Sequence, residues 1–160
     1  MNKINKIKKF FDKEISKDLK DIMLLEVSDG SYLAFGKYSI TPKDDCFEIK
    51  TIKEPWKKCP IVSDLKIAIA WCTYDKYIRV KEANRLPEID IELSGIKVSL
   101  AILQQKLKKS KDSSDKFIYL AKIQETKYRK SMILSELNDY LITSMRWQKD
   151  KFDKIKTKIS

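Results

Sequence analysis

The stretch Ile89-Asp90-Ile91-Glu92-Leu93-Ser94-Gly95-Ile96-Lys97-Val98-Ser99-Leu100-Ala101-Ile102-Leu103-Gln104-Gln105-Lys106-Leu107 decides the architecture. Ile89, Leu93, Ile96, Leu100, Leu103 and Leu107 recur at intervals of 4, 3, 4, 3 and 4 residues, which keeps one row of side chains on one side of a helix for nearly three heptads. This row is the candidate association seam. Downstream, Lys108 to Ser114 is a polar turn in which Asp112 or Ser113 suits a helix N-cap. In the next helix Phe117, Leu120, Leu134, Leu141, Met145 and Phe152 share one heptad phase. Gln124, Lys127, Ser131 and Asn138 fall in that same phase, so the contact is expected to shift onto Ile123, Leu137 and Tyr140. Two helices joined by so short a turn fold back on each other. Residues 87–150 are therefore expected to form a long antiparallel, coiled-coil-like helical hairpin, with 151–160 as a basic C-terminal tail.

Upstream, residues 1–86 read as a small α+β head. Ile4, Ile7, Phe11, Ile15, Leu19 and Ile22 stand three or four apart and predict an N-terminal helix over 3–22, with lysines on its other side. Ile22 to Val27, a turn at Asp29-Gly30, Tyr32 to Ile40, a second turn at Thr41 to Asp45, and Cys46 to Ile52 predict a three-stranded antiparallel meander. Ser63-Asp64 suits the start of a helix through about Leu86, with Leu65, Ala68, Ile69 and Cys72 toward the strands and Pro87 ending or kinking it. The expected fold class is α+β.

Composition narrows the function. In 160 residues there are 34 Lys and Arg, of which only Arg79, Arg85, Arg129 and Arg146 are arginine, against 23 acids and no histidine. A lysine- and isoleucine-rich, arginine-poor chain is what an AT-rich coding sequence yields, so part of the +11 charge reflects codons. Residues 1–20 carry seven lysines against three acids, and residues 146–160 carry six cations against two acids, so these ends hold +8 of the +11. The candidate phosphate contacts are Lys3, Lys6, Lys8, Lys9, Lys106, Lys108, Lys109, Arg146, Lys149 and Lys151. Lys106, Lys108 and Lys109 also complement a helix C-terminus without any ligand. There is no GxGxxG, GxxxxGK[ST] or GxSxG, and no His for a Ser-His or Cys-His pair. Neither catalysis, a cofactor, a metal nor a small-molecule substrate is expected. Asp44-Asp45 reads as a solvated turn, and Glu88, Asp90 and Glu92 as acids favoured near a helix start. Cys46, Cys59 and Cys72 form no CxxC and are expected to be free thiols in a reducing, cytoplasmic-type compartment. No apolar run is long enough to span a membrane.

Asp29-Gly30-Ser31-Tyr32, Phe35-Gly36-Lys37-Tyr38, Ala70-Trp71-Cys72, Lys116, Ile118-Tyr119-Leu120-Ala121 and Trp147-Gln148 together resemble small proteins of AT-rich, T-even-type marine phages. The resemblance implies a phage accessory or virion protein, placed in the host cytoplasm or the virion. It brings no assigned activity and no functional residues. Three antiparallel strands followed by a helix also resemble the small DNA-binding domains of plant transcription factors and integrase arm-binding modules. Those read DNA with Arg and aromatic residues, whereas the exposed sheet face here would offer Lys37, Glu48 and Lys50. Ile91, Val98 and Ile102 are apolar residues off the seam that one hairpin cannot bury, and they point to self-association or a protein partner. The expected function is a non-enzymatic assembly or adaptor protein, with nucleic-acid binding through the basic ends as the alternative.

Overall fold

A computed structural model describes residues 21–159, so the N-terminal helix expected over 3–22 falls almost wholly outside the described residues. The chain is α+β and divides into two compact units, one of Met1–Pro87 with Leu141–Ser160 and one of Glu88–Tyr140.

The first unit is built on a five-stranded antiparallel meander in the order β1 (Leu24–Ser28), β2 (Ser31–Ala34), β3 (Tyr38–Lys43), β4 (Cys46–Thr51), β5 (Ile61–Val62). Gly30, at φ +73°, makes the β1–β2 turn, and a Cβ there would meet Pro42 at 3.0 Å. The expected single strand Tyr32–Ile40 is two strands. Phe35 and Gly36 both lie at positive φ, 54° and 67°, and turn the chain between β2 and β3. A phenylalanine in that conformation costs about 1–3 kcal/mol, and burying its ring returns a similar amount. The Phe35 ring is fully buried, edge-on to Tyr77 and Trp147 at 6.0 and 6.4 Å, and its N–H donates to the Met23 carbonyl. The next turn is also tighter than expected. β3 continues through Pro42 and Lys43, and only Asp44 and Asp45 lie between it and β4. Pro42 is tolerated because it lies beyond the last β2–β3 pair, Tyr32 with Ile40, where no ladder bond needs its missing N–H. The fifth strand is short and unanticipated: Ile61 and Val62 pair with Glu48 and Phe47.

Helix α1 (Leu65–Tyr77) follows, its first turn capped by the Asp64 carboxylate, which accepts from the Lys66 N–H at 2.7 Å. Ile67, Ala68, Ala70, Trp71, Cys72 and Tyr74 are buried on it together with Ala34, Phe35, Tyr38, Ile40, Ile49 and Val62 from the sheet region. The helix expected to reach Leu86 stops at Tyr77, because Arg79 is extended. A single turn, α2 (Val80–Ala83), precedes α3 (Arg85–Lys109). Pro87 neither ends nor kinks a helix; it sits in the first turn of α3, where the backbone N–H it lacks would have no helical acceptor.

Helix α4 (Ser113–Ile159) is the longest element, and residues 141–159 of it belong to the first unit. There Trp147 stacks on Tyr77 with ring centroids 4.1 Å apart. Ser144 and Gln148 donate to the Thr73 hydroxyl at 3.0 and 3.3 Å, and that hydroxyl donates to the Ile69 carbonyl. The expected basic tail 151–160 is thus helix through Ile159.

The second unit is a helical hairpin of α3 and α4. Ser110 to Asp112 connect them, and the Asp112 side chain accepts from the Ser114 N–H at 3.0 Å as the N-cap of α4. Across the hairpin Arg129 pairs with Glu92 at 3.8 Å. Ile123, Ile133 and Leu137 are the buried residues of α4 here, with Tyr119, Thr126 and Tyr140 half-buried. This row includes the expected Ile123, Leu137 and Tyr140 and lies one residue before the heptad phase of Phe117, Leu120 and Leu134, which are exposed. Shifting the row by one replaces Gln124, Leu134 and Asn138 with Ile123, Ile133 and Leu137, so the packed side gains two apolar residues where the expected phase had amides.

Candidate association surface

The expected seam of α3 faces into the hairpin. Ile89, Ile96 and Leu100 are buried, and Leu93, Leu103 and Leu107 are half-buried. Ile96 and Leu103 line an open interhelical groove of about 620 Å³, with Gly95 and Ser99 on the same wall and Lys122, Glu125, Thr126 and Arg129 opposite. Half of the seam is therefore buried within the chain and half only partly covered, and a more exposed apolar surface lies elsewhere on the hairpin.

That surface is present on α3. Ile91 is 72% exposed and Val98 59%, with Ile102 also exposed. Successive helical residues are rotated by about 100°, which puts this row on the side of α3 away from Ile89, Ile96 and Leu100. Helix α3 therefore carries apolar rows on two sides, and only one is covered. On α4 the exposed apolar residues include Phe117, Leu120, Tyr128 and Met132. Ile91, Val98 and Ile102 stood out in the sequence as off-seam residues; the exposure of Phe117 and Leu120 goes with the shift of the α4 contact onto Ile123, Leu137 and Tyr140.

The described candidate phosphate contacts divide between the two units. Lys3, Lys6, Lys8 and Lys9 lie outside the described residues. Lys106, Lys108 and Lys109 are exposed in the last turn of α3, where Lys106 and Lys109 share a shallow depression with Lys111, Asp112 and Asp115. Arg146 and Lys149 are exposed in the first unit, while Lys151 is partly covered, its ammonium 5.7 Å from the centroid of Trp147.

The first unit contains a titratable cluster that the sequence did not single out. The Asp75 carboxylate is buried, accepts from the Tyr38 hydroxyl and pairs with Lys57 at 2.7 Å. Burial, and then the adjacent Asp75 carboxylate, pushes the Tyr38 phenol well above its ordinary range. Burial raises the Cys72 thiol in the same way. Lys57 also lies 5.9 Å from the Trp71 ring, whose buried indole N–H has no hydrogen-bond partner. With Asp75 committed to Tyr38 and Lys57, the cluster clamps the 53–60 loop to α1. Cys46, Cys59 and Cys72 are free thiols. Among the described residues, no group of three or more His, Cys, Asp or Glu is placed to hold a metal, and no helix is long and apolar enough to cross a membrane.

Compared with protein-family models, curated proteins and solved structures, the chain matches none.

Proposed function

We propose that this is a non-enzymatic assembly or adaptor protein, of the phage accessory or virion kind that its sequence resembles, acting through its helical hairpin on a second copy or a partner protein. The carrying observation is the uncovered apolar row Ile91, Val98 and Ile102 on a helix whose other apolar row is buried at Ile89, Ile96 and Leu100 and partly covered elsewhere. Exposed apolar groups repeated along one side of a helix mark association surfaces more often than scattered single residues do. The test is light scattering on the full chain at tens of micromolar, at low and high salt, with and without duplex DNA. A mass above 18.8 kDa without DNA is expected. A monomer that gains mass only with DNA, and loses it as salt rises, would overturn the reading.

That outcome would favour the second reading, a nucleic-acid-binding accessory factor. It is supported by the exposed Lys106, Lys108, Lys109, Arg146 and Lys149. Such binding would release counterions, giving a steep fall of log K with log salt, and would show little base preference because lysine lacks the bidentate fork of arginine.

A further inference from the structure

We infer that the occupant of the outer row of α3 is the α3 helix of a second copy, lying antiparallel across a two-fold axis; this rests on the association reading above. Ile91, Gly95, Val98 and Ile102 stand at intervals of four, three and four residues, a row about 16 Å long at 1.5 Å per residue. Gly95 and Ile102 also line the groove against α4, so row and groove form one continuous surface. Two features select a second copy.

The first is charge. The start of α3 in this unit is acidic, with Glu88, Asp90 and Glu92, and its last turn is basic, with Lys106, Lys108 and Lys109. Antiparallel pairing brings each acidic end beside a basic end, twice by symmetry, whereas parallel pairing stacks like on like. From Glu88 to Lys109 the helix has three acids and four lysines, so two copies of a +11 chain meet here on a nearly neutral stretch.

The second feature is shape. An antiparallel register that sets Ile91 against Ile102 sets Gly95 against Val98. Gly95 is exposed in mid-helix, and nothing lies within 4 Å of where its Cβ would be. A mid-helix glycine is less favourable than alanine, and the notch it leaves receives Val98 of the second copy.

Light scattering of the full chain, with helicity checked by circular dichroism, tests this. Wild type is expected at twice 18.8 kDa. Val98→Asp, at a position exposed within the chain, should keep its helicity and return to the single-chain mass, with dimer affinity weakened roughly a hundredfold or more by a carboxylate buried across the interface. Leu134→Asp, on α4, should stay dimeric. Mild oxidation of an Ile91→Cys and Ile102→Cys mixture, with wild type as background, should give the 91–102 cross-link in preference to 91–91 or 102–102. A Val98→Asp protein that remains dimeric, or like-to-like cross-links, would overturn this interface and leave self-association standing. A monomeric wild type would overturn both.

Discussion

The two units handle the same difficulty, too little core for the apolar residues present, in opposite ways. The first unit closes on itself: Trp147 stacks on Tyr77, Phe35 is sealed by both rings, and buried Asp75 has both Tyr38 and Lys57. The hairpin leaves Ile91, Val98 and Phe117 in solvent. The first unit exposes apolar residues too, Trp56 at 79% and Met145 at 67% among them, but the exposed apolar residues of α3 fall in one row along the helix. On the proposed reading association belongs to the hairpin, and titration should register in the first unit, which holds the buried groups Tyr38, Cys72 and Asp75.

The largest contrast should appear at alkaline pH. Tyr38, Tyr77 and Cys72 are all raised, chiefly by burial. A group that holds its proton more tightly when folded contributes stability below its unfolded value and loses it as pH rises. The near-ultraviolet dichroism of the first unit should thus collapse as pH climbs past about 10, the ordinary value for tyrosine. Lys76, lowered by burial, works in the opposite sense just below its ordinary value, but it is one group against three. Far-ultraviolet helicity falling in step with the aromatic signal would erase the distinction between the regions.

Next in size is Leu100→Asp, which places an unpaired carboxylate in the buried side of the hairpin and should cost about 3–5 kcal/mol. Thermal melting followed by circular dichroism measures it, and an unchanged curve would remove Leu100 from the packed side. Asp75→Ala should cost about 2–3 kcal/mol, less than a fully buried pair would lose, because Lys57 is partly exposed and can rehydrate. Urea unfolding reports this value, and a loss below about 0.5 kcal/mol would mean that the clamp contributes nothing. The smallest effect belongs to Phe117→Ser. At 73% exposure it should change stability by no more than about 0.5 kcal/mol. A loss of several kcal/mol would restore the α4 phase that the polar residues Gln124, Lys127, Ser131 and Asn138 weakened.

What the sequence makes legible here is local chemistry with a single reading. Asp64 and Asp112 announce their helix starts, Asp29-Gly30 its turn, and the 4-3-4 row of α3 its packed side. The misreadings share a different cause. No local rule marks Phe35 as a residue at positive φ; it is held there by rings from α1 and α4. Pro87 looks like a terminator until α1 is known to stop ten residues earlier. The α4 contact, by contrast, was legible: the polar Gln124, Lys127, Ser131 and Asn138 in the heptad phase pointed to Ile123, Leu137 and Tyr140, one 100° step away. The limit met at Phe35 and Pro87 applies to the surface: Ile91, Val98 and Ile102 were visible as a surplus, but their exposure followed only from which side of α3 was covered.

Trp147 against Phe35 also sets an order of events during synthesis. One of the two rings that seal the β2–β3 turn, Trp147, comes from more than a hundred positions later in the chain. At about 5–20 residues per second the ribosome needs roughly 5–20 seconds to cover that interval. By its end the strands and α1 have been made, but until then the strained turn lacks the indole that covers it. A nascent chain stalled before Trp147 therefore presents a sheet whose Phe35 lacks one of its two covering rings, the kind of exposed surface that holdase chaperones bind.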